Sequence, residues 1–95
     1  MTAPRLTLHG YWRSSGSWRV RIGLHLKQAA FAYRAVNLAE GEQRSAAHQA
    51  LSPLGQVPVL TVEEGGTTRH LVQSLAILEW LEERFPAPAL LPADP

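Results

Sequence analysis

The stretch YWRSSGSWRVR, from Tyr11 to Arg21, carries the residues best suited to chemistry. Two hydroxyls, Ser14 and Ser15, stand just before an apolar run, and Gly16 follows at a position suited to a nucleophile in such a turn. Serine is both a preferred helix N-cap and a hydrogen-bond donor. The turn could therefore be a helix cap, a strand end or the edge of an active site. The chain has no cysteine, which excludes disulfides, thiolate metal sites and a protein thiol nucleophile.

Composition narrows the class of protein. The chain has 95 residues, 45% hydrophobic and 18% charged, which predicts one small globular domain. The net charge is +1 and the charges are interleaved, so no basic face for nucleic acid is expected. The apolar runs are too short to span a bilayer, and no signal-peptide core is visible, so a cytoplasmic location is expected. The four histidines lack metal-ligand spacing, and no metal site is expected.

The segment after the serines has two interpretations. Five apolar residues alternate with polar ones, which indicates a half-buried strand: Trp18, Val20, Ile22, Leu24 and Leu26. On a helix capped by Ser14 or Ser15, the same residues form two faces, Trp18/Ile22/Leu26 and Val20/Leu24. The pattern alone does not choose between them. The element order favours the helix, and a helix with two apolar faces needs a second domain or a partner on one of them.

The other segments supply the scaffold. Strands are predicted at residues 6–10, 31–38, 59–62 and 69–72, the last two joined by the turn EEGG at 63–66. SAAHQAL predicts a short helix at 45–51 with Ser45 as its N-cap. The clearest helix runs from Ser74 to Phe85, with Ser74 as cap, an apolar face of Leu75, Leu78 and Leu81 or Glu82, and Pro86 as its end. The order is β-α-β-α-β-β-α, a compact α/β fold.

Three turns stand out: SSGSWR after the first strand, GQVP before the third and QSLAI after the fourth. The first and last open helices, whose N-termini attract anions. Together with VNLAEGEQ, QALSPLGQVPVL, QSLAILEWLEERFP and ALLPADP, the stretch RSSGSWRVRIGL resembles the N-terminal domain of zeta-class glutathione transferases, the maleylacetoacetate isomerase family. The resemblance covers essentially the whole chain.

The resemblance implies a thioredoxin-like fold, a four-stranded mixed sheet with helices on both faces, in which the three turns meet at one edge. Residues 1–86 would form a glutathione-binding domain and residues 87–95 a linker toward a C-terminal helical domain that this chain lacks. The full-length form would be a cytoplasmic homodimer of aromatic amino acid catabolism. The cofactor would be glutathione and the substrate a small unsaturated diacid.

Five residues would hold the tripeptide. A cis bond before Pro58 would let the backbone N–H and C=O of Val57 pair with glutathione as an added strand. Gln73 and Ser74, at the start of the last helix, would bind the glutamyl carboxylate. Gln43 would reach the glycine end.

The catalytic residues implied are Ser14 and Ser15 at the sulfur, with Arg19 nearby on the first helix. A free thiol with a pKa near 8.5 is mostly protonated at neutral pH. A serine hydroxyl and the helix N-terminus would favour the thiolate. In the family reaction the thiolate adds to a cis enone such as maleylacetoacetate, the former double bond rotates, and expulsion of the thiolate gives the trans isomer.

The chain departs from the family pattern at Gly16, where the usual motif has cysteine. Maleylpyruvate isomerases also lack that cysteine, so their substrate is an alternative. A second hypothesis is a stand-alone thioredoxin-like module that binds glutathione or a protein without turnover. A thiol oxidoreductase is the weakest alternative because no cysteine is present.

Overall fold

The computed structural model describes residues 4–52 and 54–89. Its strands and helices, in chain order, are β1 (Arg5–Gly10), α1 (Ser15–Leu26), β2 (Ala32–Ala35), α2 (Ala46–Leu51), β3 (Val59–Glu64), β4 (Thr67–Val72) and α3 (Ser74–Arg84). Short 3₁₀ turns at Leu38–Glu40 and Glu42–Arg44 lie between β2 and α2. The β-α-β-α-β-β-α order is confirmed.

The sheet has the order β2-β1-β3-β4. β1 runs parallel to β2 and antiparallel to β3, and β3 pairs with β4 as a hairpin. The sheet is therefore mixed, as predicted. Gly65 and Gly66 both have positive φ, which suits a two-residue hairpin turn, so the hairpin is tighter than the predicted turn at 63–66 and both strands are longer.

The core lies between one sheet face and the helices α1 and α3. Successive side chains of a strand point to opposite faces, so each inner strand sends two apolar residues into this layer. The buried cluster consists of Leu6, Leu8, Val20, Leu24, Leu60, Val62, Ile77 and Leu81. The short helix α2 lies on the other face, where His9 of β1 and His48 of α2 line one cavity. The prediction of helices on both faces is confirmed.

Helix α1 has the two faces predicted for it. Val20 and Leu24 are fully buried, whereas Trp18, Ile22 and Leu26 are each about half exposed. The strand alternative for this segment is therefore wrong. The second apolar face is uncovered in the part of the chain that the structure describes.

The predicted end of the second strand needs correction. The second strand ends at Ala35 rather than residue 38, and Val36 beyond it is buried outside the ladder. All four residues of β2 are exposed because β2 is an edge strand. The predicted strand was too long because Val36, whose N–H donates to the Gly10 carbonyl at 2.7 Å, is followed by Asn37 and by a 3₁₀ turn that begins at Leu38.

Helix α3 differs from the prediction at its start and on its buried face. Gln73 is the N-cap, and Ser74 is already the first helical residue, so the prediction of Ser74 as cap is wrong. Leu75 is 67% exposed, whereas Ile77 and Leu81 are fully buried. Ile77 and Leu81 lie four residues apart on one face. Leu75 comes two residues before Ile77, and a rotation of about 200° places it on the opposite side of the helix.

A buried lysine ties the end of α1 to the end of α3. The Lys27 side chain is fully buried, and its Nζ lies 2.6 Å from Glu82 Oε1 and 2.6 Å from the Pro88 carbonyl oxygen. The chain leaving α3 is thus held against α1 as far as Pro88. Residues 90–95 of the predicted linker lie outside the described residues. Within the described ranges, no helix is both long and apolar enough to cross a membrane.

Candidate functional site

The three turns singled out in the sequence meet at one cleft. Its lining combines the start of α1, the 3₁₀ turns, the loop before β3 and the start of α3: Arg13, Ser14, Ser15, Leu38, Gln43, Gly55, Gln56, Val57 and Gln73. Five predicted site residues are among them. Pro58, Ser74 and Arg19 do not line this cleft, although each adjoins a residue or element that does.

The first turn of α1 is capped by Ser14. Its Oγ accepts a hydrogen bond from the Ser17 N–H at 3.1 Å, and its own N–H donates to the Tyr11 carbonyl. Among the described residues, the N–H groups of Ser15 and Gly16 have no partner. These two donors, and the positive end of the helix dipole, can stabilise negative charge in front of the turn.

Gly16 lets this turn approach the loop before β3. A Cβ built on Gly16 would lie 3.1 Å from Pro58 Cδ and 3.7 Å from Ser74 Cβ. Any side chain here would therefore press on Pro58. The Val57–Pro58 peptide bond is cis, as expected.

The backbone of Val57 offers a hydrogen-bond donor and an acceptor to a ligand. No hydrogen bond to its N–H or C=O occurs within residues 4–52 and 54–89. The preceding Gly55 has φ +68, and a Cβ on it would lie 2.8 Å from the Gln43 carbonyl oxygen, so only glycine fits. An extended ligand could add to the Val57 backbone as a strand adds to a sheet edge.

The start of α3 forms the opposite wall. Gln73 has φ +72, an uncommon conformation for a residue other than glycine, and its Nε2 donates to Gln56 Oε1 at 2.9 Å. Arg19 Nη1 donates to Ser74 Oγ at 3.1 Å. The helix N-terminus and the guanidinium both favour a bound carboxylate here.

Gln43 carries an unsatisfied group. Its Oε1 is the one buried side-chain polar atom without a hydrogen-bond partner in the described part of the chain. Buried polar atoms are normally paired, and orphaned ones call for a partner outside the protein's own contacts. The position of Gln43 in the cleft lining is consistent with the predicted role in ligand binding.

Two residues of the site were missed in the sequence. Gln56 belongs to the GQVP turn but was not assigned a role. Arg13 lines both this cleft and a neighbouring apolar cleft formed with Trp12, Ser15, Trp18, Arg19 and Ile22. Its guanidinium stacks 4.6 Å from the centre of the Trp12 ring. Its position directly before the two serines was the available signal.

The model of the glutathione S-transferase N-terminal domain matches residues 13–84. The chain belongs to this family. Maleylacetoacetate isomerase from Pseudomonas aeruginosa is 50% identical over 92 residues, covering 95% of this chain and 42% of that protein. Maleylpyruvate isomerase from Ralstonia sp is 47% identical over 89 residues, covering 94% and 40%.

A crystal structure supplies the comparison in three dimensions. Maleylacetoacetate isomerase from Anaeromyxobacter dehalogenans 2CP-1, with glutathione in its active site, is 63% identical with a TM-score of 0.84, over 99% of this chain and 44% of that one. Another structure of that enzyme contains dicarboxyethyl glutathione and citrate. The chain thus spans less than half the length of these glutathione S-transferase relatives.

Proposed function

We propose that this domain binds glutathione in the cleft where the three turns meet, as part of a glutathione-dependent cis–trans isomerase of maleylacetoacetate-like unsaturated diacids. The observation that carries the proposal is the convergence on one cleft of the start of α1, with its unpaired N–H groups, the unpaired Val57 backbone and Gln73 at the N-cap of α3. The names of the relatives, and the glutathione bound to one of them, support it.

The cleft would hold the tripeptide along its backbone. Val57 would exchange two hydrogen bonds with the cysteinyl backbone of glutathione, since its own N–H and C=O have no partner in the described chain. Gln73 and Ser74 would bind the glutamyl carboxylate at the N-terminus of α3. At the glycyl end, the unsatisfied Gln43 Oε1 would accept the glycyl N–H.

The sulfur would lie at the start of α1. Ser14 already accepts the Ser17 N–H through its oxygen, so its hydroxyl proton remains free to donate to the thiolate. Ser15 is exposed and lines both clefts, which suits a donor between sulfur and electrophile. Either donor would lower the pKa of the bound thiol, together with the unpaired N–H groups of this turn.

The electrophile would occupy the neighbouring apolar cleft. The thiolate adds to the β-carbon of the cis enone, and the electron pair passes to an enolate. The resulting single bond rotates, and loss of the thiolate restores the enone in the trans form. Arg13 borders both clefts, so its guanidinium could pair with a substrate carboxylate and with the developing enolate.

The whole protein would contain more than this domain. Residues 1–86 form the glutathione-binding domain in this proposal, and residues 87–95 lead toward a helical domain that covers the apolar face of Trp18, Ile22 and Leu26. The half-exposed state of that face supports the assignment. A homodimer in the cytoplasm is the arrangement that the family resemblance implies for the complete protein.

Calorimetric titration of this chain with glutathione tests the binding site. Saturable binding at millimolar concentration or tighter is expected, and S-methylglutathione should bind without forming a thiolate. No binding of glutathione would refute the site. Turnover is then assayed with maleylacetoacetate and maleylpyruvate, in this chain and in any longer product of its reading frame. Preference for maleylpyruvate would favour the alternative substrate, and binding without any turnover would favour a binding module.

A further inference from the structure

Gln56, the residue before Val57, is fixed by two buried side chains of the α2 region. His48 and Ser52 are only 5% and 2% exposed. His48 Nε2 lies 2.7 Å from the Gln56 carbonyl oxygen, and the Gln56 N–H donates to Ser52 Oγ at 3.1 Å. Because a carbonyl oxygen only accepts, His48 Nε2 carries a proton in this contact. Both backbone hydrogen-bonding groups of Gln56 are therefore held by side chains.

His48 and Ser52 are themselves rigidly mounted. The His48 N–H is bound by the N-cap Ser45, and the Ser52 N–H donates to the His48 carbonyl at 2.8 Å. The Gly55 N–H in turn donates to the Ser52 carbonyl at 2.8 Å. The loop is thus pinned to α2 at consecutive points up to Gln56.

Gln56 passes this constraint to two parts of the cleft. Its Oε1 accepts from Gln73 Nε2 at 2.9 Å, which orients the Gln73 side chain at the start of α3. Its carbonyl carbon is bonded to the Val57 nitrogen, so fixing that carbonyl fixes the plane of the Val57 N–H. One residue therefore couples α2 to both walls of the cleft.

We propose that His48 and Ser52 are positioning residues for glutathione, acting through Gln56 to orient the Val57 backbone and the Gln73 amide. The proposal rests on the proposed function of the cleft. Neither side chain lines that cleft, so neither is expected to touch the ligand. Without them, the two peptide groups on either side of the Gln56 Cα would be free to rotate, and the cost of ordering them on binding would weaken affinity.

The test compares three variants in this chain by calorimetry with glutathione and by thermal unfolding. His48→Phe keeps an aromatic ring but removes the donor, Ser52→Ala removes the acceptor, and His48→Gln retains an N–H donor. We expect His48→Phe and Ser52→Ala each to weaken glutathione binding about fivefold to tenfold, the range of one hydrogen bond, and His48→Gln to stay within about twofold of wild type. The double variant His48→Phe/Ser52→Ala should lose less than the product of the single losses, because both side chains act through one residue, Gln56.

A matched control and a second measurement separate positioning from stability. His25 is exposed on α1, so His25→Phe should leave glutathione affinity unchanged. Amide hydrogen exchange at Gln56, whose N–H donates to Ser52 Oγ, should accelerate in His48→Phe and Ser52→Ala, and this measurement needs no ligand. If wild type binds glutathione but both variants bind it equally well, or if Gln56 exchange is unchanged in His48→Phe, the positioning role is overturned. If wild type does not bind, the proposed function of the cleft fails instead, and only the exchange result then bears on the loop.

Discussion

Arg19 and Ser74, 55 residues apart in the chain, join the second turn of α1 to the first turn of α3. The Arg19 Nη1 donates to Ser74 Oγ at 3.1 Å, so a cation stands beside the N-terminus of α3. The hydroxyl proton of Ser74 remains free because its oxygen is the acceptor in this contact. The sulfur side and the carboxylate side of the proposed site are therefore linked by one hydrogen bond.

Ser74→Ala should weaken glutathione binding about tenfold or more, because a hydrogen bond to a charged group is worth about 1.5–3 kcal/mol. Arg19→Met should weaken glutathione binding less, because the guanidinium is exposed and acts on the ligand through its hydrogen bond to Ser74. Calorimetry on both variants checks this order, with Arg19→Lys as the variant that retains the charge. An Arg19→Met loss larger than that of Ser74→Ala would indicate that Arg19 contacts the ligand directly.

The fold could be predicted largely from local patterns, with α1 as the instructive case. Alternation at Trp18–Leu26 favoured a strand and helix alike, and only the order of the other elements decided it. In the structure, Val20 and Leu24 fill the core, whereas Trp18 and Ile22 remain half exposed. A helix with two apolar faces and a half-buried strand show the same alternation of apolar and polar residues, so the pattern alone does not distinguish them.

Residues of the candidate site that belong to distinctive sequence motifs could be predicted, whereas residues whose role depends on tertiary contacts could not. Ser14 and Val57 sit in turns with distinctive sequences, and the structure brings both to the cleft. The role of His48 depends on a loop folding back onto α2, and nothing in local spacing reports that contact. Gln73 replaces Ser74 as the cap because the chain turns from β4 into α3 at Gln73, whose positive φ is not predicted by its residue type.

Ser14 and Ser15 should separate under mutation into a cap and a free hydroxyl. Ser14→Ala should destabilise the chain by about 1 kcal/mol, the usual cost of removing an N-cap, whereas Ser15→Ala should be nearly neutral. At least one of the two should raise the pKa of bound glutathione, since each can donate to the sulfur. Thermal unfolding checks the first effect, and the ultraviolet absorbance of the thiolate against pH checks the second. Unchanged thiolate absorbance in both variants would remove the serines from the mechanism.

His9 should make the fold less stable in mild acid. Burial lowers its pKa below 6.5, and the positive charges of His48, Arg34 and His70 lower it further. Below about pH 6.5 the unfolded chain binds the proton more readily than the folded chain does, so stability falls as pH falls from there through the folded-state pKa. Urea unfolding at a series of pH values should show a shallower fall in His9→Gln, and an intermediate one in Arg34→Gln. Identical pH slopes in wild type and His9→Gln would contradict the assignment.

Removing the charge of Lys27 should lower the free energy of unfolding more than removing an exposed charge does. Its side chain is fully buried against Glu82 and the Pro88 carbonyl, and the Glu82 side chain is itself only 21% exposed. Lys27→Met keeps the aliphatic stem but removes the charge, and breaking such a pair costs about 3 kcal/mol. Glu82→Gln keeps an acceptor but leaves the fully buried Lys27 ammonium without a counter-charge, so it should also cost about 3 kcal/mol.

The exposed ion pair Arg84–Glu64 provides the matched control for Lys27, since both of its side chains are more than a third exposed. Arg84→Met should cost about 0.5 kcal/mol or less, because exposed pairs contribute little. Chemical denaturation of the variants gives the free energies of unfolding directly. A Lys27→Met loss no larger than that of Arg84→Met would mean that the buried pair only offsets its own desolvation. In that case the hold on Pro88, and with it the direction in which the chain leaves α3, must come from apolar packing instead.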